Sequence, residues 1–232
     1  MTVTLSVVIP AFNEERFIGR LLEQIAAVDL APLGVAKEII VVDDCSSDRT
    51  AEIVSGFPSA RLHRMAANGG KGRAVRAGLG LATGDYVIIQ DADLEYDPGD
   101  YVPMMQAILD RRADVVYGSR YISGGRHPGQ SWMAYLGGRS LSVVCRLCTG
   151  TYLTDTVTAL KLFPRPLLLT LDLQTSGFEL DHEITAKVLA RGLRIVEIPV
   201  RYYPRSREEG KKIGARDWLI GTRTFIRFGR GR

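Results

Sequence analysis

Cysteine is scarce: three residues in a chain of 232. So few, and an odd number, exclude a disulfide framework and fit a reducing compartment. Cys145 and Cys148 form a C-x-x-C, but no second Cys pair or His pair completes a zinc site. Both are expected to be buried structural thiols. Long hydrophobic runs are missing too, since no apolar stretch reaches the roughly 18 residues a spanning helix needs. Met1 to Leu5 carries neither the basic region nor the cleavable apolar segment of a secretory signal, so folding in the cytoplasm is expected. There is no Walker G-x-x-x-x-G-K-[ST], and no G-x-G-x-x-G after the first strand. The P-loop and dinucleotide-binding readings fail with them. Aromatic residues are only 8% of the chain. Few interleave with basic residues, which argues against a nucleic-acid partner.

What remains is an ordinary globular composition, 46% hydrophobic and 24% charged. The length suits one α/β domain and falls short of two. The net charge is +4. Its distribution is uneven: residues 201–232 are dense in Arg and Lys, which suggests an anionic partner there.

The first two-thirds alternates strands and helices. Short apolar runs at Leu5–Ile9, Glu38–Val42, around Leu62, at Tyr86–Gln90 and at Val115–Tyr117 read as strands. Helical spacing predicts helices over Glu14–Ala27, Gly70–Leu81 and Tyr101–Arg111, with another after a cap at Ser47 or Asp48. Repeated β-α-β units imply a mostly parallel sheet with helices on both faces. Then comes a Gly-rich loop, Ser123 to Gln130, and a helix over about Trp132–Cys148. A strand at Lys161–Phe163, a helix at Glu179–Ala190 and a strand at Ile195–Tyr203 complete the body. Ala215–Phe228 predicts a basic amphipathic helix. In it Trp218, Phe225 and Phe228 alternate with Arg216, Arg223, Arg227 and Arg230, which suits either a membrane interface or packing on the domain.

Polar residues gather where the carboxyl ends of these strands emerge, the edge at which open α/β sheets bind ligands. Pro10 to Glu14, Asp43-Asp44, Asn68 to Gly72, Asp91 to Glu95 and Arg120 all lie there. Asp91 and Asp93, two apart after a strand, can share a hard cation, and Glu95 adds a third oxygen donor; Mg²⁺ or Mn²⁺ suits such a set. Asn68-Gly69-Gly70-Lys71-Gly72 can present backbone N–H groups and one ammonium to a diphosphate. Taken singly, the first motif also reads as a solvated acidic turn and the second as a flexible loop.

Together and in order, Pro10-Ala11-Phe12-Asn13-Glu14, Val42 to Asp48, Asn68 to Gly72, Asp91-Ala92-Asp93-Leu94-Glu95 and Gly118-Ser119-Arg120 carry a family likeness. The chain resembles family 2 glycosyltransferases of the dolichol-phosphate mannose synthase and polyprenyl-phosphate glycosyltransferase type, over roughly Leu5 to Trp218. The resemblance implies a single GT-A domain over residues 1–232, a Rossmann-like sheet with a C-terminal acceptor-side segment. Residues up to about 122 would bind the nucleotide sugar, about 123–214 would face the acceptor, and about 215–232 would be the basic helix. Pro10, Phe12, Glu14, Asp43 and Asp44 would form the nucleoside pocket, and Lys71 would face the diphosphate. Asp91, Ala92 and Asp93, with Glu95, would hold metal and donor phosphates. Arg120, Arg139, Arg205 and Lys211 would bind the acceptor phosphate.

The implied reaction is inverting transfer of a hexose from GDP-mannose or UDP-glucose to a polyprenyl phosphate, by a protein peripheral to the inner face of the membrane. A phosphate acceptor needs no general base. A glycan hydroxyl would, and Asp155, Asp181 or Glu183 would then be candidates; Glu183 reads equally well as a helix-surface residue, and His182 as an ordinary structural or surface histidine. The stretch between Asp155 and Lys161 carries Val157, Ala159 and Leu160 where relatives often have an acidic residue and a Cys-Tyr pair, leaving the sugar open. A sugar-nucleotide pyrophosphorylase would place a Gly-rich, Arg-containing loop after strand one, which Pro10 to Glu14 is not. A non-catalytic scaffold would not require the acidic cluster and lysine loop.

Overall fold

The computed structural model describes residues 2–205 and 215–229. Seven strands form one sheet in the order β3-β2-β1-β4-β6-β5-β7. They are β1 (Val3–Ala11), β2 (Val35–Asp43), β3 (Ala60–Arg64), β4 (Tyr86–Ile89), β5 (Val115–Ser119), β6 (Lys161–Pro164) and β7 (Ile195–Pro199). All neighbours are parallel except β6, which runs antiparallel to both β4 and β5. Sequence periodicity cannot report that reversal, because direction is set by the long excursion between β5 and β6.

The strands read as continuous apolar runs because both sheet faces are covered. Leu5, Val7 and Ile9 pack into one layer with α1 (Ile18–Ala27) and α4 (Tyr101–Leu109). Val8, Val87 and Ile89 face the other, with α3 (Lys71–Leu81) and α7 (Leu180–Ala190).

Several boundaries differ from expectation for local reasons. Helix α1 begins at Ile18 rather than Glu14, and residues 15–17 form a turn in which Phe17 N–H and Ile18 N–H both donate to Glu14 O at 3.0 Å. Asp48, not Ser47, accepts from the first turn of α2 (Thr50–Ser55), through Thr50 N at 2.9 Å. Strand β7 stops at Pro199; beyond it Val200 N–H donates to Ser119 O at 3.1 Å and the Tyr96–Tyr202 bridge continues the pairing. The short α6 (Arg165–Leu169) is too brief to display a period.

Helix α5 (Trp132–Thr149) and helix α8 (Ala215–Phe228) pack beside α7. Cys145 is fully buried there with Phe225, whereas Cys148 is only half-buried. The aromatic face of α8 turns inward: Phe225 packs on His182 and Trp218 donates to Ser140 Oγ at 2.9 Å. Leu219 and Ile226 are exposed instead, among Arg216, Arg223 and Arg227.

Candidate active site

Two glycines set the geometry at the start of α3. A Cβ on Gly70 (φ +86°) would lie 2.6 Å from Ser176 O, and one on Gly72 2.6 Å from Thr175 O. Only glycine lets the helix start press so closely on residues 175–177. Gly72 N–H donates to Ser176 O at 2.6 Å, and Asp44 accepts the N–H groups of Gly69 and Gly70 at 2.8 and 2.7 Å. This corrects one expectation. These loop amides are committed to protein acceptors rather than presented to a diphosphate, and the Asp44 carboxylate pins the loop. Asp43 is fully buried, bonded to Ser46 N and paired with Arg64, and does not line the cavity.

Lys71 emerges from that clamp between two carboxylates, 2.8 Å from Asp91 and 3.0 Å from Asp181. Burial alone would lower its pKa, but the two anions outweigh it and hold the ammonium charged above the usual lysine range. A cavity of about 300 Å³ opens over it, lined by Pro10, Phe12, Glu14, Asp44, Asp91, Ala92, Asp93 and Glu95. Of the expected nucleoside-pocket residues, Pro10, Phe12, Glu14 and Asp44 therefore come together.

Asp93 is pushed up to about 7, by burial first and then by the charges of Asp91 and Glu95, despite Arg205 at 2.9 Å. Such a surplus of negative charge on oxygen donors fits a divalent cation. Asp91 and Asp93 would be the side chains to hold it. Glu95 is occupied otherwise: its carboxylate accepts Tyr202 Oη at 3.0 Å and Arg205 N at 2.9 Å. Among the described residues no group of three or more His, Cys, Asp or Glu side chains is gathered for a metal ion. Glu95 still lines the cavity beside Asp91 and Asp93.

The basic residues expected at the acceptor side fare differently. Arg205 reaches both sides: it bridges Glu14 at 3.2 Å and Asp93 at 2.9 Å and also lines a larger neighbouring cavity. Arg120 is locked to Asp155 through two hydrogen bonds of 2.6 and 2.7 Å, with Tyr121 and Tyr202 rings each 5.1 Å from its guanidinium. Arg139 turns to Thr154 O and Tyr152 Oη and lines neither cavity described here. Lys211 lies outside the described residues.

A second cavity of about 550 Å³ joins the first at Lys71, Asp91, Phe178 and Arg205. Its outer wall comes from Met133, Ala134 and Leu141 of α5 with Trp218 and Ile220 of α8. The three carboxylates considered as bases are all engaged. Asp155 is paired with Arg120. Burial would raise Asp181, but Lys161 and Lys71 pull it down to about 2. Glu183 is fully buried; it accepts Gln174 N and Thr175 N at 2.9 and 2.8 Å and pairs with Lys187. Its place is structural rather than on the helix surface.

Phe178 and Lys161 also belong to this region, Phe178 lining both cavities and Lys161 paired with Asp181 at 2.9 Å. The signal for Lys161 was present, as a lone charge inside the apolar run Leu160 to Phe163.

Comparison with known proteins accords with this geometry. The profile of glycosyl transferase family 2 matches residues 6–163. A dolichol-phosphate mannosyltransferase of Pyrococcus furiosus is 30% identical over 90% of this chain and 59% of its own length. An undecaprenyl-phosphate 4-deoxy-4-formamido-L-arabinose transferase of Edwardsiella ictaluri is 32% identical over 89% of this chain and 62% of its own. The chain thus spans about three-fifths of the length of these relatives. Glucosyl-3-phosphoglycerate synthase of Mycobacterium tuberculosis, solved with Mn²⁺, UDP and glucosyl-3-phosphoglycerate, superposes with a TM-score of 0.65 at 24% identity, over 89% of this chain and 74% of that one. The fold is GT-A, and the protein is an enzyme: the chain belongs to glycosyl transferase family 2.

Proposed function

We propose that this chain, as a single GT-A domain, transfers a hexose, mannose or glucose, with inversion from GDP-mannose or UDP-glucose to a polyprenyl phosphate. The observation that carries the reading is the state of the three carboxylates that a hydroxyl acceptor would call on as bases. Asp155, Asp181 and Glu183 are all held in ion pairs and hydrogen bonds, so none is poised to take a proton from a hydroxyl. A phosphate acceptor is already an anion near neutral pH and needs placement rather than deprotonation.

The nucleoside enters among Pro10, Phe12 and Glu14, and Lys71 faces the diphosphate. Asp91 and Asp93 would hold Mg²⁺ or Mn²⁺, which supplies Lewis-acid neutralisation of the leaving diphosphate. Arg205, shared by both cavities, supplies positive charge where donor and acceptor phosphates meet. Lys211, in the basic segment that follows, is the further candidate for the acceptor phosphate. The larger cavity has an apolar outer wall suited to the first isoprene units.

No helix among the described residues is long and apolar enough to cross a membrane. Peripheral contact at the inner face fits the exposed apolar residues of α5, namely Trp132, Met133, Leu136, Val143 and Leu147, beside Leu219, Ile226 and the arginines of α8. The test incubates the protein with Mn²⁺, a short polyprenyl phosphate and a panel of nucleotide sugars, with Asp93→Ala alongside. A lipid-phosphate sugar detected by mass spectrometry with one donor, and absent for Asp93→Ala, supports the reading; nucleotide binding without such product from any donor rejects it.

A further inference from the structure

Four charged side chains stand in file from the interior to the donor cavity: Lys161, Asp181, Lys71 and Asp91. Lys161 Nζ lies 2.9 Å from Asp181 Oδ1, Asp181 Oδ2 lies 3.0 Å from Lys71 Nζ, and Lys71 Nζ lies 2.8 Å from Asp91 Oδ1. Side-chain exposure rises along the file, from 0% at Lys161 to 7%, 9% and 25%. Lys161 projects from the central strand β6, donates also to Thr158 O, and has the Tyr117 ring 5.1 Å from its ammonium. It lines neither cavity, so it touches no ligand there.

A fully buried lysine carries a desolvation cost that an apolar residue in the same strand would not. Charge counting gives its use. Without Lys161, the remaining Asp181, Lys71 and Asp91 would turn one net negative charge toward an anionic diphosphate. With Lys161 on the far side of Asp181, the two lysines balance the two carboxylates, and the file of four is neutral.

We propose that Lys161 is a positioning residue that acts through Asp181. Asp181 anchors Lys71 from behind, and Lys161 compensates Asp181, so that Lys71 and Asp91 meet the donor diphosphate without a net negative charge behind them. The inference deepens the proposed function and rests on its placing of Lys71 at the diphosphate.

The experiment measures binding of UDP, GDP, UMP and GMP in Mn²⁺ by calorimetry. It compares the wild type with Lys71→Met, Lys161→Met, Lys161→Gln, Lys161→Arg and the Lys71→Met/Lys161→Met double variant. Lys161→Gln keeps a donor for Asp181 and removes only the charge, so it carries the test if Lys161→Met fails to fold. The preference for the bound diphosphate over its monophosphate should fall about tenfold in Lys161→Met and Lys161→Gln. It should return in Lys161→Arg, and be no lower in the double variant than in Lys71→Met. A packing role alone would lower affinity for both nucleotides together and leave their ratio unchanged. If Lys71→Met lowers the ratio while Lys161→Gln leaves it intact, the inference is overturned and the placing of Lys71 stands. If Lys71→Met also leaves it intact, that placing falls and the inference with it.

Discussion

Arg205 lies across Asp93, its Nη2 2.9 Å from Oδ2, so one carboxylate of the Asp91-Ala92-Asp93 turn is already neutralised by a side chain of the protein itself. The guanidinium does not fully compensate the site, since burial and the neighbouring carboxylates still push Asp93 up to about 7. Because the folded-state pKa is raised above the unfolded value, the stability this group contributes is present at low pH and lost as pH rises toward and through 7. Asp93→Asn should therefore raise Tm more at pH 8 than at pH 5, while lowering turnover by about 100-fold or more. Mn²⁺ should raise the Tm of the wild type and not of the variant. Thermal melts at the two pH values, with and without Mn²⁺, provide the check, and equal gains at both pH values would refute the electrostatic account.

Glu183 is predicted to matter for stability and not for chemistry. Its hydrogen bonds to Gln174, Thr175 and Lys187 tie α7 to the segment that clamps the start of α3. Glu183→Gln should cost about 1–3 kcal/mol of stability and keep kcat within about tenfold of the wild type, since no general base is removed. A thousandfold loss of kcat at unchanged Tm would instead identify Glu183 as the base of a hydroxyl-transfer reaction.

His182 supplies an acid-sensitive contact. Burial first, with Lys161 and Lys71 adding to it and Asp181 opposing, lowers its pKa to about 4. A depressed histidine contributes stability that is complete above the unfolded value of about 6.5 and lost as pH falls toward 4. Its ring lies 5.1 Å from Phe225, so charging it strains the seat of α8. Wild-type Tm should drop between pH 6.5 and 4 more steeply than that of His182→Leu. Parallel curves would remove His182 from the account.

The exposed apolar residues of α5 give a membrane prediction separable from catalysis. Leu136 and Leu147 are 58% and 81% exposed on one side of the helix. Burying each in an interface is worth about 1.5–3 kcal/mol, so Leu136→Asp/Leu147→Asp should weaken binding to anionic vesicles at least tenfold. Flotation with phosphatidylglycerol vesicles measures this. Undiminished binding would move the contact elsewhere.

The strand-end motifs were legible because each pairs an apolar run with a polar stop, and the sheet brings all of those stops to one edge. Pro10, Glu14, Lys71, Asp91 and Asp93 accordingly lie where the pattern put them. Contacts between distant segments were not legible. Nothing local in Asp44 says that its carboxylate will be consumed by Gly69 and Gly70, nor in Arg205 that it will cross to Glu14. The antiparallel entry of β6 was hidden for the same reason, and with it the placing of Lys161 behind Asp181. Amphipathicity located α8 but not its orientation: aromatic and aliphatic residues both qualified as its apolar face, and only packing against His182 and Ser140 chose between them.

The central claim is that the acceptor is a phosphate and needs no protein base. The most direct measurement offers the enzyme, with Mn²⁺ and its preferred donor, equal concentrations of a short polyprenyl phosphate and the matching polyprenol, and follows glycosylated products by mass spectrometry from pH 6.5 to 8.5. The account predicts sugar on the phosphate only, at a rate that does not follow the titration of a single base. Product on the alcohol, or on a glycan hydroxyl in place of the lipid phosphate, would contradict it.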